Sequence, residues 1–401
     1  MTTLHRRPAT GGRSRRPALP RTPALDGLRG LAICAVVAYH FPVPSSVLGV
    51  PCFAGGFFGV GVFFVLSGFL ITTVLLADHE RHGGIRLAAF YRRRCWRLVP
   101  ALVAFLAVVL LVGARFGREG WFASTPFGPP HAPGPPTPVG SLLWPAAAAL
   151  GYVYNLFLAF QGAVDVAMPQ PFGHLWTLSV EGQFYLGWAV LTALALRRGR
   201  AALAGVTCAL LAVSVALPFL LWGSREGIQN WIYFGTVPRL AQLCAGALLA
   251  QVWAAGGLRR VPAPVLRWAG AVGAAVLAYL LLEVGQAPAK FVGGPQLAAA
   301  CGVLVVAALV DPRTQSLGSA LLASRPLAWL GRRSYGIYLW HWPLALWTNE
   351  LPRHLGLPLG LLGSLVAAEL SWRLVEGPAQ RLGRRLEPRA RSASAVPAPA
   401  S

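Results

Sequence analysis

Long apolar runs recur along most of the chain and constrain its fold more than any other feature. Eleven such segments are found, at 25–42, 57–77, 99–114, 141–160, 176–196, 202–222, 233–254, 266–284, 295–311, 335–349 and 356–376. A helix that crosses the bilayer core needs roughly 20 apolar residues and satisfies its own backbone hydrogen bonds there. Only 12% of the residues are charged, about half the share of a soluble domain. The sequence therefore predicts an all-α polytopic membrane protein.

The positions of the arginines indicate which segments cross the membrane, because cytoplasmic loops carry an excess of Lys and Arg. If 141–160 does not cross, fifteen later basic residues lie on the cytoplasmic side and three, Arg225, Lys290 and Arg353, lie outside. If it crosses, these numbers are exchanged. The rule predicts about ten spans, which we expect to surround a central cavity, and the excess of Arg and Ala suggests a bacterial plasma membrane. Both termini are then cytoplasmic, and a re-entrant or surface segment lies near 141–160.

The chain divides into one membrane domain and two short tails. Residues 1–22 and 380–401 are basic and rich in Pro, Ala and Ser, which predicts disordered cytoplasmic tails around a membrane domain at 23–379. A cleavable signal peptide is not expected, because the first apolar run contains Asp26 and Arg29. The net charge of +22 comes from arginines clustered between apolar runs, so we expect no nucleic-acid partner. The six cysteines form no C-x-x-C pair, and we expect no metal site.

Ionisable side chains inside a membrane segment are candidates for function. In the first span Arg29 and His40 are eleven residues apart, which places them on one helix face about 16 Å apart along the axis. Arg29 lies near the cytoplasmic end and could bind a phosphate, while His40 lies near the outer end and could accept a proton from a hydroxyl. Alternatively, Arg29 pairs with Asp26 and His40 only lies at the interface.

A basic string, Tyr91-Arg92-Arg93-Arg94-Cys95-Trp96-Arg97, stands at the cytoplasmic mouth of the third span. Four arginines there suit a phosphate-rich ligand such as coenzyme A or a nucleotide. They would equally serve as a topology signal or contact anionic lipids.

Two further strings carry polar groups into apolar segments. In the string that runs from His174 to Tyr185, Glu181 lies in the outer half of the membrane, where it could orient His40, hold a sugar hydroxyl, or merely snorkel to the interface. In the span near 335–349, Ser334, Tyr338 and His341 recur at helical spacing. This stripe could line a cavity or only pack between helices. The pair Ser67-Gly68 is interpreted as a small-residue helix contact.

Five strings in this order resemble the bacterial membrane acyltransferase-3 family over roughly residues 22–380. They are LDGLRGLAICAVVAYH at 25–40, GGFFGVGVFFVLSGFLIT at 55–72, FYRRRCWRLVP at 90–100, WTLSVEGQFY at 176–185 and SYGIYLWHWP at 334–343. Arg239 and Glu376 fall in weaker family-like contexts. Members of this family O-acylate surface glycans, peptidoglycan-linked sugars and some macrolides.

The resemblance implies an acyl-CoA donor and a division of roles among the residues. The phosphates of the donor would meet Arg93, Arg94 and Arg97 and then Arg29, which could also polarise the thioester. His40 would act as general base or carry the acyl group transiently, and Glu181 would orient His40 or the acceptor. The residues expected at the substrate are His174, Tyr338, His341 and Arg239. No permanently bound cofactor and no metal are implied.

Two departures from the family pattern affect these expectations. Gly182 stands where an acidic residue is common, so a second carboxylate beside Glu181 is not expected. Many relatives append a soluble esterase-like domain, which is absent from this sequence. We therefore expect the membrane domain to complete the transfer itself or to use a separate periplasmic or extracellular partner.

Three classes of function remain open from the sequence. The first is O-acylation of a cell-surface saccharide or glycolipid, and the second is O-acylation of a macrolide or another glycosylated metabolite. The third is a non-enzymatic transporter that uses the same polar cavity. A transporter would show repeat symmetry or broken helices in both halves, and the sequence shows neither.

Overall fold

The protein is a bundle of helices, seen in a computed structural model that describes residues 22–41, 46–47, 50–51, 53–116, 139–160, 170–224, 227–284, 291–348 and 351–386. The α-helices are α1 (Pro23–His40), α2 (Gly59–His82), α3 (Leu87–Phe116), α4 (Val139–Leu150), α5 (Tyr154–Phe160), α6 (Trp176–Arg197), α7 (Arg200–Leu221), α8 (Ile228–Phe234), α9 (Thr236–Ala254), α10 (Ala263–Glu283), α11 (Gly294–Val310), α12 (Leu317–Leu322), α13 (Arg325–Thr348), α14 (Arg353–Ser371) and α15 (Gly377–Arg385). Two short strands, β1 (Ser46–Val47) and β2 (Val50–Pro51), pair antiparallel. A π turn, Trp372–Glu376, joins α14 to α15.

The all-α polytopic class is confirmed. Within the described ranges, six helical segments are long and apolar enough to cross a membrane: Gly56–His82, Leu87–Arg115, Arg200–Leu221, Ile228–Ala254, Ala263–Glu283 and His354–Arg385. Outer helices expose large apolar side chains, such as Leu220 and Trp268, as a lipid-facing surface requires.

Four further helices coincide with spans predicted from the sequence but are not in this set. One of them, α11, is an apolar helix of 17 residues. The others, α1, α6 and α13, are at least 18 residues long and contain the polar candidate residues, which lower their mean hydropathy. The count of ten spans stays a prediction.

The segment near 141–160 is sharply bent. Its two helices, Leu142–Leu150 and Tyr154–Phe160, meet at 119° across a break, so the segment is not a single straight span. Tyr152, in the break, has a φ of 55°, in the left-handed region. Gln183 of α6 fastens the bend, because its amide nitrogen donates to the Tyr152 carbonyl at 2.7 Å and to Asn155 Oδ1 at 2.8 Å.

The packing of α1 on α13 positions the residues of interest. The two helices run in the same direction, with Gly30 near Leu327 and Gly331 near Asp26, while Gly27 lies against Leu322 at the end of α12. A Cβ atom at Gly331 would lie 1.7 Å from the Asp26 carbonyl oxygen, so only glycine allows this approach. The same register brings the C-terminal ends of both helices together.

A second close contact joins α2 to α9. A Cβ atom at Gly68 would lie 1.9 Å from the Leu243 carbonyl oxygen, and one at Gly246 would lie 2.0 Å from that of Val65. The interpretation of Gly68 as a small-residue helix contact is therefore confirmed.

The predicted boundary of the C-terminal tail is wrong by several residues. Residues 380–385 belong to α15, and the buried Gly383 packs against the Trp96 ring. Because α15 packs one face against α3, the first residues of the predicted tail are helical although they are basic. The other parts of both predicted tails, 1–21 and 387–401, lie outside the described residues.

The structure explains the departure at Gly182 and makes it testable. A Cβ atom there would lie 2.2 Å from Tyr152 Cδ1, so the tyrosine ring occupies the space of a side chain at residue 182. We expect Gly182→Ala to destabilise the protein by about 1–3 kcal/mol through overpacking. In a Tyr152→Gly background the same substitution should cost far less, as measured by unfolding in detergent. Equal costs in the two backgrounds would show that the Tyr152 ring does not restrict residue 182.

Candidate functional site

A chamber of about 230 Å³ lies between α1, α2, α3, α6 and α13. Its ionisable lining consists of three arginines and one glutamate, together with tyrosines. These are Arg29, Arg94, Arg97, Glu181, Tyr185, Tyr335 and Tyr338. The remaining wall is mostly apolar, so charges inside are screened by little water. Three arginines against one carboxylate make the chamber suited to an anionic ligand.

Arg29 is directed into this chamber and not toward Asp26. Its Nη2 donates to Ser334 Oγ of α13 at 3.1 Å, and its guanidinium lies 5.9 Å from the centre of the Phe63 ring. The Nε atom is buried without a hydrogen-bond partner among the described residues. A buried donor without a partner costs about 1–3 kcal/mol. Arg29 therefore retains a donor that a bound ligand could satisfy.

Glu181 lies in the same chamber and is held by two hydroxyl groups. Ser67 Oγ donates to Glu181 Oε1 at 2.6 Å, and the Tyr185 hydroxyl donates to Oε2 at 3.0 Å. The guanidinium of Arg94 lies 5.3 Å from the centre of the Tyr185 ring. Ser67 therefore donates a hydrogen bond to Glu181, and it also lies next to Gly68, where α2 packs on α9.

His40 at the end of α1 and His341 within α13 form a directed pair. His341 Nδ1 lies 2.7 Å from the Tyr338 carbonyl oxygen, and His341 Nε2 lies 3.1 Å from His40 Nδ1. A carbonyl only accepts, so His341 Nδ1 carries the proton and, in the neutral ring, Nε2 is the acceptor. His40 Nδ1 must then be the donor. In neutral His40, the lone pair therefore belongs to Nε2, the nitrogen that a general base uses.

Pro343 explains how His174 becomes attached to α13. Proline has no backbone N–H, so Pro343 leaves the Leu339 carbonyl, four residues earlier, without its helical partner. His174 Nε2 lies 3.1 Å from that carbonyl oxygen and donates to it. His174 is 3% exposed. Its role in the structure is to satisfy a kinked helix.

Tyr338 connects the chamber to the histidine pair. Its hydroxyl donates to the His174 carbonyl, so Thr177 Oγ1, 2.6 Å away, must donate to the tyrosine oxygen. Tyr338 and Thr177 both line the chamber. The carbonyl of Tyr338 accepts from His341, so one residue borders the chamber and orients the histidines.

Arg239 and Glu376, both named from the sequence, lie away from the chamber and the histidine pair. Arg239 is 7% exposed, donates from Nε to the Tyr233 carbonyl at 2.7 Å, and stacks over the Tyr233 and Trp176 rings at 4.5 and 5.3 Å. Glu376 is buried in the π turn and accepts from Ser371 Oγ at 3.2 Å.

The helical geometry of α3 places the arginines of the basic string on different faces of the helix. Arg94 and Arg97, three residues apart on one face of α3, line the chamber, while Arg93 is not part of its lining. Within the described ranges no group of three or more His, Cys, Asp or Glu side chains is arranged to hold a metal ion.

Sequence reasoning missed several partners of the named residues. Ser67 was treated only as a packing residue, and neither Thr177 nor Tyr152 was considered for the site. A signal for Thr177 was present, since it stands four residues before Glu181 on the same face of α6. Ser67 offered no comparable signal, because its partner is 114 residues away.

The chain is similar to an acyltransferase family and to several bacterial O-acetyltransferases. The family described as an acyltransferase domain matches residues 22–372. The peptidoglycan O-acetyltransferase OatA of Listeria monocytogenes is 31% identical over 378 residues, which cover 90% of this chain and 56% of that protein. OatA of Staphylococcus aureus, named an O-acetyltransferase, is 31% identical over 382 residues (90% and 57%). The putative peptidoglycan O-acetyltransferase YrhL of Bacillus subtilis is 31% identical over 380 residues (90% and 55%).

The chain thus spans a little over half the length of these relatives. No solved structure matches it.

The attachment of His174 to α13 can be tested by a double-mutant cycle. We expect His174→Leu to destabilise the protein by about 1–3 kcal/mol, because the Leu339 carbonyl loses its partner. In a Pro343→Ala background, residue 343 regains an N–H that can bond this carbonyl, so the same substitution should cost less. Unfolding in detergent measures both costs. If the two costs are equal, His174 does not compensate for the proline.

Proposed function

Because this chain belongs to the membrane acyltransferase-3 family, we propose that it transfers an acyl group, such as acetyl, from cytoplasmic acyl-CoA to a hydroxyl of a cell-envelope saccharide. The observation that carries this proposal is the path from the basic chamber, along Tyr338, to the His341–His40 pair. A saccharide acceptor is supported by the names of the relatives, two of which refer to peptidoglycan.

The donor end of the proposal rests on the charge of the chamber. Arg94 and Arg97 bind the diphosphate of coenzyme A, since guanidinium groups match phosphate oxygens in bidentate pairs. Arg29 meets the donor further along. Its partner Ser334 precedes His341 by seven residues, about 10 Å along α13. Arg29 is therefore assigned to the phosphate or pantetheine part of the donor and not to the thioester.

The acceptor end uses the lone pair on His40 Nε2. This nitrogen takes the proton of the acceptor hydroxyl while the oxygen attacks the thioester carbonyl carbon. The C–S bond breaks, the sulfur leaves as thiolate, and the protonated His40 returns the proton to give the free thiol of coenzyme A. His341 is a positioning residue here, because it holds His40 in the tautomer that has its lone pair on Nε2.

An alternative route uses the same lone pair as a nucleophile. His40 Nε2 would then attack the thioester and carry the acyl group before the acceptor arrives. Incubation with radiolabelled acetyl-CoA in the absence of acceptor separates the routes, since only this one leaves label on His40. The direct route predicts unlabelled protein under these conditions.

The histidine pair gives a prediction with a matched control. We expect His40→Ala to abolish ester-linked acyl groups on the envelope, and His341→Ala to lower kcat by about 10²-fold or more with little change in KM. His354→Ala, an exposed histidine on α14, should have no effect. Mass spectrometry of base-labile acyl groups, in a deletion strain complemented with each variant, measures the outcome. Full complementation by His40→Ala would refute the mechanism.

The chamber arginines give a second prediction. Arg94→Gln and Arg97→Gln should each raise KM for acyl-CoA by about tenfold or more, because each removes a charge-assisted phosphate contact. Arg197→Gln, at the exposed end of α6, is the control and should leave KM unchanged. Steady-state kinetics of the purified protein in nanodiscs provide the measurement. Unchanged KM in both chamber variants would exclude these arginines from the donor site.

A further inference from the structure

A second and larger cavity, of about 840 Å³, opens where α1 and α13 begin. Its wall combines the start of α1, the first part of α13, the π turn and α15. The lining includes four arginines, one from α13, one from the π turn and two from α15. These are Arg332, Arg373, Arg381 and Arg384. None of them belongs to the motifs that the proposed donor site uses.

The excess of positive charge in the lining of this cavity favours a bound anion. The carboxylate in its lining is that of Asp26, against the four guanidinium groups. Arg373 donates to Glu369 at 2.6 Å, but Arg332, Arg381 and Arg384 form no ion pair with a carboxylate of the described residues. The N-terminal residues 1–21, which precede the cavity, contain six arginines and no Asp or Glu. That segment therefore does not supply the missing negative charge.

The cavity adjoins the basic chamber. Leu70 of α2 lines both, and Asp26 of the cavity precedes Arg29 of the chamber by one turn of α1. From Asp26 to His40 the helix rises about 21 Å. A single extended ligand can therefore occupy the cavity with one end and direct its other end toward the histidine pair.

The π turn adds an aromatic surface at the cavity. Trp372 is half-buried there, and the Arg333 guanidinium lies 5.6 Å from the centre of its ring. An indole of this kind can stack on a purine base, as aromatic side chains do with bases in general. Arginines beside an aromatic platform match a nucleotide that carries an additional phosphate monoester.

We propose that this cavity binds the 3′-phosphoadenosine end of coenzyme A, with Arg381 and Arg384 on the 3′-phosphate and Trp372 beside the adenine. This inference rests on the proposed donor and extends it. Arg94 and Arg97 hold the diphosphate deeper in the bundle, and the arginines of α15 select donors by their terminal phosphate. The dianionic phosphate monoester suits bidentate guanidinium contacts.

The test compares acetyl-CoA with 3′-dephospho-acetyl-CoA, which differs only in the group assigned to this cavity. Both are titrated against the full chain in phosphatidylcholine nanodiscs by calorimetry. Wild-type protein should bind acetyl-CoA at least about tenfold more tightly, the value of one charge-assisted phosphate contact. The variant Arg381→Gln/Arg384→Gln should lose this difference by weakening acetyl-CoA alone. The control Arg259→Gln/Arg260→Gln, an exposed pair elsewhere, should keep the difference.

Four results would overturn the inference. If wild type binds both donors equally, or the α15 variant weakens both by the same factor, the 3′-phosphate is not bound here, although the proposed donor stands. If wild type binds neither, the donor itself is wrong and the inference is refuted with it. If acetyl-CoA binding is unchanged and the α15 variant instead retains less phosphatidylglycerol during purification, the cavity holds a lipid headgroup.

Discussion

The close parallel contact between α1 and α13 is the constraint on which the rest of the structure depends. Glycines at 30 and 331 let the two backbones touch, and any larger residue would separate them. Because the helices run in the same direction, one register sets two contacts at once. Arg29 meets Ser334 near one end, and His40 meets His341 near the other. A shift of one residue on either helix would break both pairs together.

Within that frame, the polar groups of the interior are oriented by their need for partners. An unsatisfied carbonyl or ring nitrogen is costly where water is scarce. Pro343 creates such a carbonyl at Leu339, and His174 fills it. The Tyr338 carbonyl fixes the tautomer of His341 and, through it, that of His40. The orientation of the proposed base therefore follows from the hydrogen bond that a backbone carbonyl of α13 accepts.

The arginines of this protein have two separable effects. Their concentration in a few loops is a topology signal, as the sequence suggested. The structure adds that some of them point inward, because α3 and α15 turn arginines toward cavities that share Leu70. The proposed donor path begins at these arginine-lined cavities and ends at the histidine pair. This distribution of charge favours binding of the anionic nucleotide end of the donor in the cavity, with its acyl end directed toward the histidines.

The sequence by itself determined the helical membrane class, the bent segment as an exception, the family, and the residue types available for chemistry. The lengths of the apolar runs, the distribution of the arginines and the local motifs depend on residues that are close in the chain, so they can be recognised from the sequence alone. It also indicated that Ser334, Tyr338 and His341 share one face of a helix.

Only the tertiary structure decided which of these residues meet. The pairing of His40 with His341 and the contact of Ser67 with Glu181 join residues more than 100 positions apart. Arg239 lies outside the chamber over the ring of Trp176, which is distant in the chain, and over that of its near neighbour Tyr233. Such contacts depend on how glycine faces set the register between helices, and no local pattern encodes that register.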